Sequence, residues 1–381
     1  MPISTIEKLF YAALPSTFWY SQQVIVAVSG GSDSMALLTL LAQARSRLPE
    51  SRPRQFKVIV FHFDHQWRPE SAAEAEKVRN WVLDLGFTFH VYHSSQMLTE
   101  LELHPPKMRQ NDKGTSLLQT PIGDAKPAGP VRLPDYGLEG TARLLRYQAL
   151  KRLVAETAAD FVLTGHTWND QAETVLMRLA RGTGMDGLTG IAGQRLFTDN
   201  CQLLRPLLGL KRDQLRTYLT HHQQDFIDDP SNDDQDRTRN RMRHSVLPWL
   251  NQNLASHFDQ SLIRLAASAS ENQIAWQHLQ NIYASAVQQL QPFCLEIKIR
   301  LLNAAPEAVV RQLLVRWWKQ TQLPIREMNH SQWVKLAALV VPPRDAQGQI
   351  ESQWPSEFHF PGPVIAKRSG GILTIKKPTL N

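Results

Sequence analysis

Short runs of β-branched and aromatic residues recur through the first half of the chain, at Val24 to Val28, Val58 to Phe63, Phe87 to His93 and Phe161 to Thr164. Between or beside them lie longer stretches in which apolar residues return every three or four positions: Met35 to Arg47, Ala72 to Leu85 and Thr141 to Ala158. Near-continuous apolar strands alternating with helices predict a parallel sheet covered on both faces, the doubly wound α/β arrangement. Ser71-Ala72-Ala73-Glu74 has the spacing of a capping box and predicts the start of the second helix. From Ser94 to Tyr136 the periodicity stops while Pro, Gly, Gln and Lys accumulate, so this stretch is expected to be a surface insertion with no ligand role.

Past Leu210 the pattern changes. Helical periodicity alone runs from Lys211 to about Leu290, broken by an acid-rich turn at Asp225 to Asp236. A short strand follows at Leu295 to Ile299, then helices near Glu307 to Gln320 and Ser331 to Val340, then strand-like runs between Val364 and Ile375, which together predict a small α+β domain. The expected organisation is an α/β domain over residues 1–210 carrying the insertion 94–136, a helical region over 211–290 and a small domain over 291–381.

At 381 residues the chain is long enough for several cores. Its 42 Lys and Arg against 35 Asp and Glu leave a net charge of +7, which suits a polyanionic partner without requiring one. Cys201 and Cys294 stand alone in the sequence, so neither a disulfide framework nor a Cys-x-x-Cys metal or redox site can be built. Met1 to Tyr20 lacks the charged, apolar and small-residue sections of a secretory signal, and no run approaches a membrane span. The expectation is a soluble, cytoplasmic protein with no membrane partner.

Chemistry concentrates at the ends of the predicted strands. Ser29-Gly30-Gly31-Ser32-Asp33-Ser34 follows the first strand and opens the first long helix, so two glycines, two hydroxyls and a helix N-terminus converge on a place for an anion. No Lys follows the glycines as it does in a Walker A loop; Asp33 stands there instead, and a carboxylate facing a phosphate implies an intervening Mg²⁺. Gly165-His166-Thr167-Trp168-Asn169-Asp170 follows the fourth strand, which sets His166 and Asp170 at the same sheet edge, as ligands or as helix caps. Glu139 and Arg143 are four apart on a helix and either pair on its surface or supply a cation to the site. Arg237, Arg239, Arg241 and Arg243, with Lys211 and Arg212, make a basic track for RNA phosphates, or else pair with Asp228, Asp229, Asp233, Asp234 and Asp236.

The SGGSDS loop resembles the pyrophosphate-binding loop of the N-type ATP pyrophosphatases. An ordered set of further motifs narrows the resemblance to the tRNA(Ile)-lysidine synthases. They are Phe63-Asp64-His65 with Arg68-Pro69-Glu70-Ser71, Glu139 to Tyr147 as E-x-x-A-R-x-x-R-Y, and Gly165 to Thr174 as G-H-x-x-x-D-Q-x-E-T. Arg181 to Gly184, Arg205-Pro206-Leu207-Leu208, Asp229 to Asn232 and Arg239 to Arg243 follow in the family's order. The match runs from about Val24 to Leu250 and is weaker beyond it. Thr167 and Asn169 replace the family's usual His and Asp, and Gln66-Trp67 replaces Gly-Leu.

The resemblance implies ATP-dependent ligation of free L-lysine to C2 of the wobble cytidine of tRNA(Ile) bearing a CAU anticodon, which changes the codon read from AUG to AUA. Cytosine O2 attacks the α-phosphorus of ATP and releases pyrophosphate; the ε-amine of lysine then displaces AMP. It further implies that Ser29, Gly30, Gly31, Ser32 and Ser34 hold pyrophosphate and that Asp33 reaches it through Mg²⁺. Arg143 would offset charge at the α-phosphate or hold the lysine carboxylate, and Asp170 with His166 would orient the base or the amine. The family admits a homodimer. A thiolase of the same superfamily is a poorer fit, because two lone cysteines cannot stage its sulfur chemistry.

Overall fold

A computed structural model describes residues 2–47, 56–103, 137–228, 238–325, 327–342 and 354–378. Strands β1 (Gln23–Ala27), β2 (Lys57–Asp64), β3 (Thr88–His93), β4 (Phe161–Thr164), β5 (Gln194–Thr198) and β6 (Cys201–Leu204) form one sheet in the order β3-β2-β1-β4-β6-β5. All pair in parallel except β5, which runs antiparallel to β6 at the edge. Helices α1 (Ile3–Ala12), α2 (Ser32–Ser46), α3 (Ser71–Asp84), α4 (Ser94–Leu103), α5 (Gly137–Thr157), α6 (Trp168–Ala180), α7 (Met185–Leu188) and α8 (Arg212–His221) accompany this sheet. After them come α9 (Thr238–Arg241), α10 (Leu247–Asn253) and α11 (Phe258–Ile282).

Alternate residues of the central strand feed two separate cores, which is the physical content of a doubly wound sheet. Val24 and Val26 pack with Phe10, Leu37, Leu41, Val78 and Leu215 on one face, whereas Ile25 packs with Phe61, Leu145, Leu153 and Val162 on the other. Buried on both faces, β1, β2 and β4 are largely apolar; among them His62 is buried with Nδ1 2.9 Å from Val28 O, and the other polar residues fall at the strand ends.

The C-terminal unit has its own core. β7 (Val287–Gln291), β8 (Cys294–Lys298), β9 (Glu357–Phe360), β10 (Val364–Ser369) and β11 (Ile372–Lys376) make an antiparallel sheet in the order β7-β8-β11-β10-β9, accompanied by α12 (Glu307–Gln320) and α13 (His330–Ala338). Trp318 is fully buried among Leu295, Leu313, Leu336, Phe360 and Leu373, and its indole N–H donates to Pro324 O at 3.1 Å.

Several elements differ from the sequence expectation. The β5–β6 hairpin lies in a stretch for which the sequence pattern predicted no element. The insertion opens with a helix, α4, and its residues beyond Leu103 up to Tyr136 lie outside the described residues. Val287 to Gln291, expected to close a helix, is a strand because Leu295 and its neighbours offer it a partner edge. The chain divides into compact units at residues 1–269 and 270–381, within α11, so the segment from Lys211 to Ala269 joins the α/β unit. The capping box at Ser71 does not form: Glu74 accepts a bond from Arg68 Nη2 at 2.7 Å, a charge-assisted contact stronger than a bond to a backbone N–H. Among the described residues no helix is long and apolar enough to cross a membrane.

Candidate active site

The glycine-rich turn joins the end of β1 to the start of α2. Gly30 sits at φ +93°, and a Cβ there would meet Val78 Cγ2 at 2.8 Å and Ile227 Cδ1 at 2.9 Å, so only glycine fits. Its carbonyl accepts from Ile227 N at 2.9 Å, which seats the segment before Asp228 over the loop. The loop's hydroxyls organise each other: Ser29 and Ser34 Oγ are 3.3 Å apart, and Ser34 Oγ donates to Gly31 O at 2.9 Å. Ser32, Asp33 and Ser34 then form the first turn of α2. The end of β4 comes very close, since a Cβ on Gly165 would lie 3.0 Å from Asp33 O and 3.1 Å from Ser34 Cα. The two motifs expected to share one sheet edge are in backbone contact there.

Between them lies a network of three carboxylates and three guanidinium groups. Arg212, at the start of α8, donates from Nε to Asp33 Oδ2 at 2.9 Å and from Nη2 to Asp170 Oδ1 at 3.2 Å. Arg239 reaches the same Asp170 oxygen at 2.9 Å and Glu173 Oε2 at 2.8 Å; Arg243 reaches Glu173 Oε1 at 2.7 Å. Glu173 is one turn after Asp170 on α6, and both carboxylates are buried. Burial raises the Asp33 carboxyl above its usual range despite Arg212. At Asp170 burial acts in the same direction, but Arg239 and Arg212 overcome it and its pKa is lowered. Asp170 and Glu173 are the buried members of the set, and their charges are compensated by the three partly exposed arginines.

The start of α6 is fixed by Asp170 itself. Its Oδ2 accepts from Thr167 N at 2.8 Å and Thr167 Oγ1 at 3.0 Å, while Asn169 Oδ1 accepts from Arg212 N at 2.9 Å. The two residues that depart from the family pattern therefore tie the helix start and Arg212 to the network. His166 Nδ1 lies 2.9 Å from Thr164 Oγ1. Burial, with Arg205, Arg239 and Arg146 nearby, outweighs Asp170 and brings the His166 imidazole down to about 4, so it is neutral at physiological pH.

Not every expected residue enters this network. Arg143 stands over the Tyr147 ring, its Cζ 5.0 Å from the centroid, in a separate group with Arg195 and Arg205. Arg212, Arg239 and Arg243, expected along a track for RNA phosphates, have their guanidinium groups committed to Asp33, Asp170 and Glu173. The acid-rich turn is not their partner in these bonds; Asp228 pairs with Arg216 instead, and Arg237 and Asp229 to Asp236 lie outside the described residues. Arg241 is exposed, and the Lys211 ammonium sits 4.3 Å from the Trp168 ring centroid. Glu173 was not singled out in the sequence. Its signal was the three-residue offset from Asp170 facing arginines four apart at Arg239 and Arg243.

Asp33 offers one carboxylate beside the loop, and the described residues hold no group of three or more His, Cys, Asp or Glu able to bind a metal by themselves. That donor set fits an ion such as Mg²⁺ held jointly by one carboxylate and phosphate oxygens, and does not fit a metal caged by protein.

A family model described as a PP-loop domain matches residues 4–110 and 118–250. Proteins named tRNA(Ile)-lysidine synthase are similar over most of the chain. One from Nostoc sp. is 26% identical over 93% of this chain and 92% of its own length. One from Parasynechococcus marenigrum is 33% identical over 78% of this chain and 75% of its own. One from Enterococcus faecalis is 29% identical over 88% of this chain, which spans only 64% of that relative's length.

Proposed function

Because the chain belongs to the tRNA(Ile)-lysidine synthases of the PP-loop family, we propose that it uses ATP to join free L-lysine to C2 of the wobble cytidine of a CAU-anticodon tRNA(Ile). The observation that carries this reading is Arg212 bridging Asp33 and Asp170, residues of the loop and of the fourth-strand motif. One side of that bridge suits a nucleotide's phosphates and the other a cationic amine.

The backbone N–H groups of Gly30 and Gly31, the hydroxyls of Ser29, Ser32 and Ser34 and the α2 N-terminus would hold the pyrophosphate portion of ATP. Mg²⁺, held by Asp33, would offset phosphate charge as the pyrophosphate leaves. With ATP bound, Arg212 faces phosphate as well as carboxylate, which places positive charge where negative charge grows at the α-phosphorus. Cytosine O2 forms the bond to that phosphorus and pyrophosphate departs. The lysine ε-amine then bonds to C2, loses a proton and expels AMP.

Asp170 and Glu173 would hold the lysine amine, exchanging one of their arginine contacts for it, and neutral His166 would orient the reacting base through its ring nitrogens. Arg143 is retained as a contact to the α-phosphate or the lysine carboxylate. Among the described residues, Arg241 and Lys211 are the members of the basic track left to meet RNA phosphates, with Arg237 outside them. A homodimer is compatible with this scheme, which needs only one chain's residues. Release of pyrophosphate from ATP tests the reading: tRNA(Ile) transcript should stimulate it, and release indifferent to tRNA would oppose it.

A further inference from the structure

Helix α5 carries a second concentration of positive charge that the scheme above leaves largely unused. Arg143, Tyr147 and Lys151 are four apart and so share one face of that helix. Across from them stand Arg195 on β5 and Arg205 just after β6. Arg195 Cζ lies 5.8 Å from the Tyr147 ring centroid and 5.8 Å from that of Phe197. Arg143 Nη2 donates to Tyr147 Oη at 3.5 Å. The cations are mutually felt. Burial opposes it, but Arg143, Arg205, Arg146 and Arg195 pull the Tyr147 phenol below its usual pKa, and burial with Arg195 lowers Lys151.

Among the described residues no carboxylate pairs with Arg195 or Arg205, in contrast to the balanced network around Asp170. Arg195 Nη1 donates only to the neighbouring Leu196 carbonyl. Arg205 is 93% buried by its 7% relative exposure, donates from Nη1 to Ala192 O at 2.6 Å, and leaves its Nε without any partner. A buried guanidinium donor with no acceptor is costly and rare unless a ligand completes it. Arginine forks match phosphate oxygens in two parallel bonds. From Arg143 to Lys151 the helix advances about 12 Å, which exceeds one phosphate group and suits a strand of them. The triphosphate already has the glycine-rich loop.

We propose that Arg195, Arg205 and Tyr147, with Arg143 and Lys151 alongside, form a site for backbone phosphates of the RNA substrate. This rests on the reading of the chain as a tRNA-modifying enzyme. His166 feels Arg205 and Arg146 as well as Asp170 and Arg239, so the two charge groups both act on the residue proposed to orient the base. Phosphates held there would anchor the strand on either side of a base drawn out of its stack.

The test measures binding of a tRNA(Ile) transcript by the full-length protein at several salt concentrations, together with KM for ATP. Arg195→Gln is the first variant; Arg205→Lys, which keeps the charge but not the fork, is the second, and both are checked by Tm. The expected result is a roughly tenfold weaker RNA affinity, a salt slope reduced by about 1 for Arg195→Gln, and an unchanged KM for ATP. If RNA binding and slope match the unaltered protein, the site is wrong while the functional reading stands. If KM for ATP rises and RNA binding does not change, the phosphate belongs to ATP and the proposal fails. No binding of tRNA by the unaltered protein would overturn the reading beneath it as well.

Discussion

Asp33 illustrates a conflict between stability and use at a single residue. Burial raises its pKa, so the folded state disfavours the ionised form that function needs. Asp33→Asn should therefore leave Tm unchanged or higher while cutting ATP-dependent turnover by about 100-fold or more, because the loop loses its carboxylate. A variant with a collapsed Tm would mean that the Arg212 pair is structural. His166 gives a pH prediction with a definite sign. Its folded-state pKa of about 4 lies below the ordinary 6.5, so the unfolded chain binds more protons between those values and stability falls as pH drops through that window. His65, also lowered to about 4 by burial and Arg146, acts in the same direction. Tm measured from pH 7 down to pH 4.5 should decline less steeply in His166→Gln than in the unaltered protein. The placement of Asp33, His166 and Asp170 at one sheet edge was legible in the sequence because motif residues follow strand ends. Glu173, Arg195 and Arg205 were not, since their meaning comes from partners on other elements.

At the scale of elements, close approach and local ties fix the site. Gly165 allows β4 to touch the first turn of α2, and Gly165→Ala would force backbone apart at a 3.0 Å contact. Turnover should drop by about 10- to 100-fold through misplacement of the loop, read as a change in kcat with RNA binding intact. Gln66 explains another departure from the family. It stands at φ 55°, where glycine is at ease, and uses its side-chain oxygen to accept from Ser95 N at 3.0 Å and Ser95 Oγ at 2.6 Å. It thereby pins the start of α4. Gln66→Ala loses the tie and keeps the strain, so urea denaturation should show it less stable than Gln66→Gly by about 1 kcal/mol. The strands β1, β2 and β4 were readable because both faces are buried and their sequences are almost wholly apolar. The β5–β6 hairpin was not, since β5 alternates Arg195 and Leu196 at an exposed edge and its Asp199-Asn200 turn has no glycine.

Across the whole molecule, the excess of +7 is not spread evenly. The network at Asp33, Asp170 and Glu173 is internally balanced, whereas Arg195 on β5 and Arg205 just after β6 have no carboxylate partner among the described residues. Net charge read from composition hinted at a polyanion; only the fold shows which arginines are spent internally. RNA binding should accordingly weaken steeply with salt, and Arg243→Gln, by breaking a buried pair, should lower Tm more than it alters the salt slope. The most direct test of the central claim is incorporation of labelled lysine into an unmodified CAU-anticodon tRNA(Ile) transcript, with and without ATP and with tRNA(Met) as control. Label appearing in tRNA(Ile) alone, and only with ATP, is the predicted result; no label despite ATP and tRNA binding, or equal label in tRNA(Met), would contradict it.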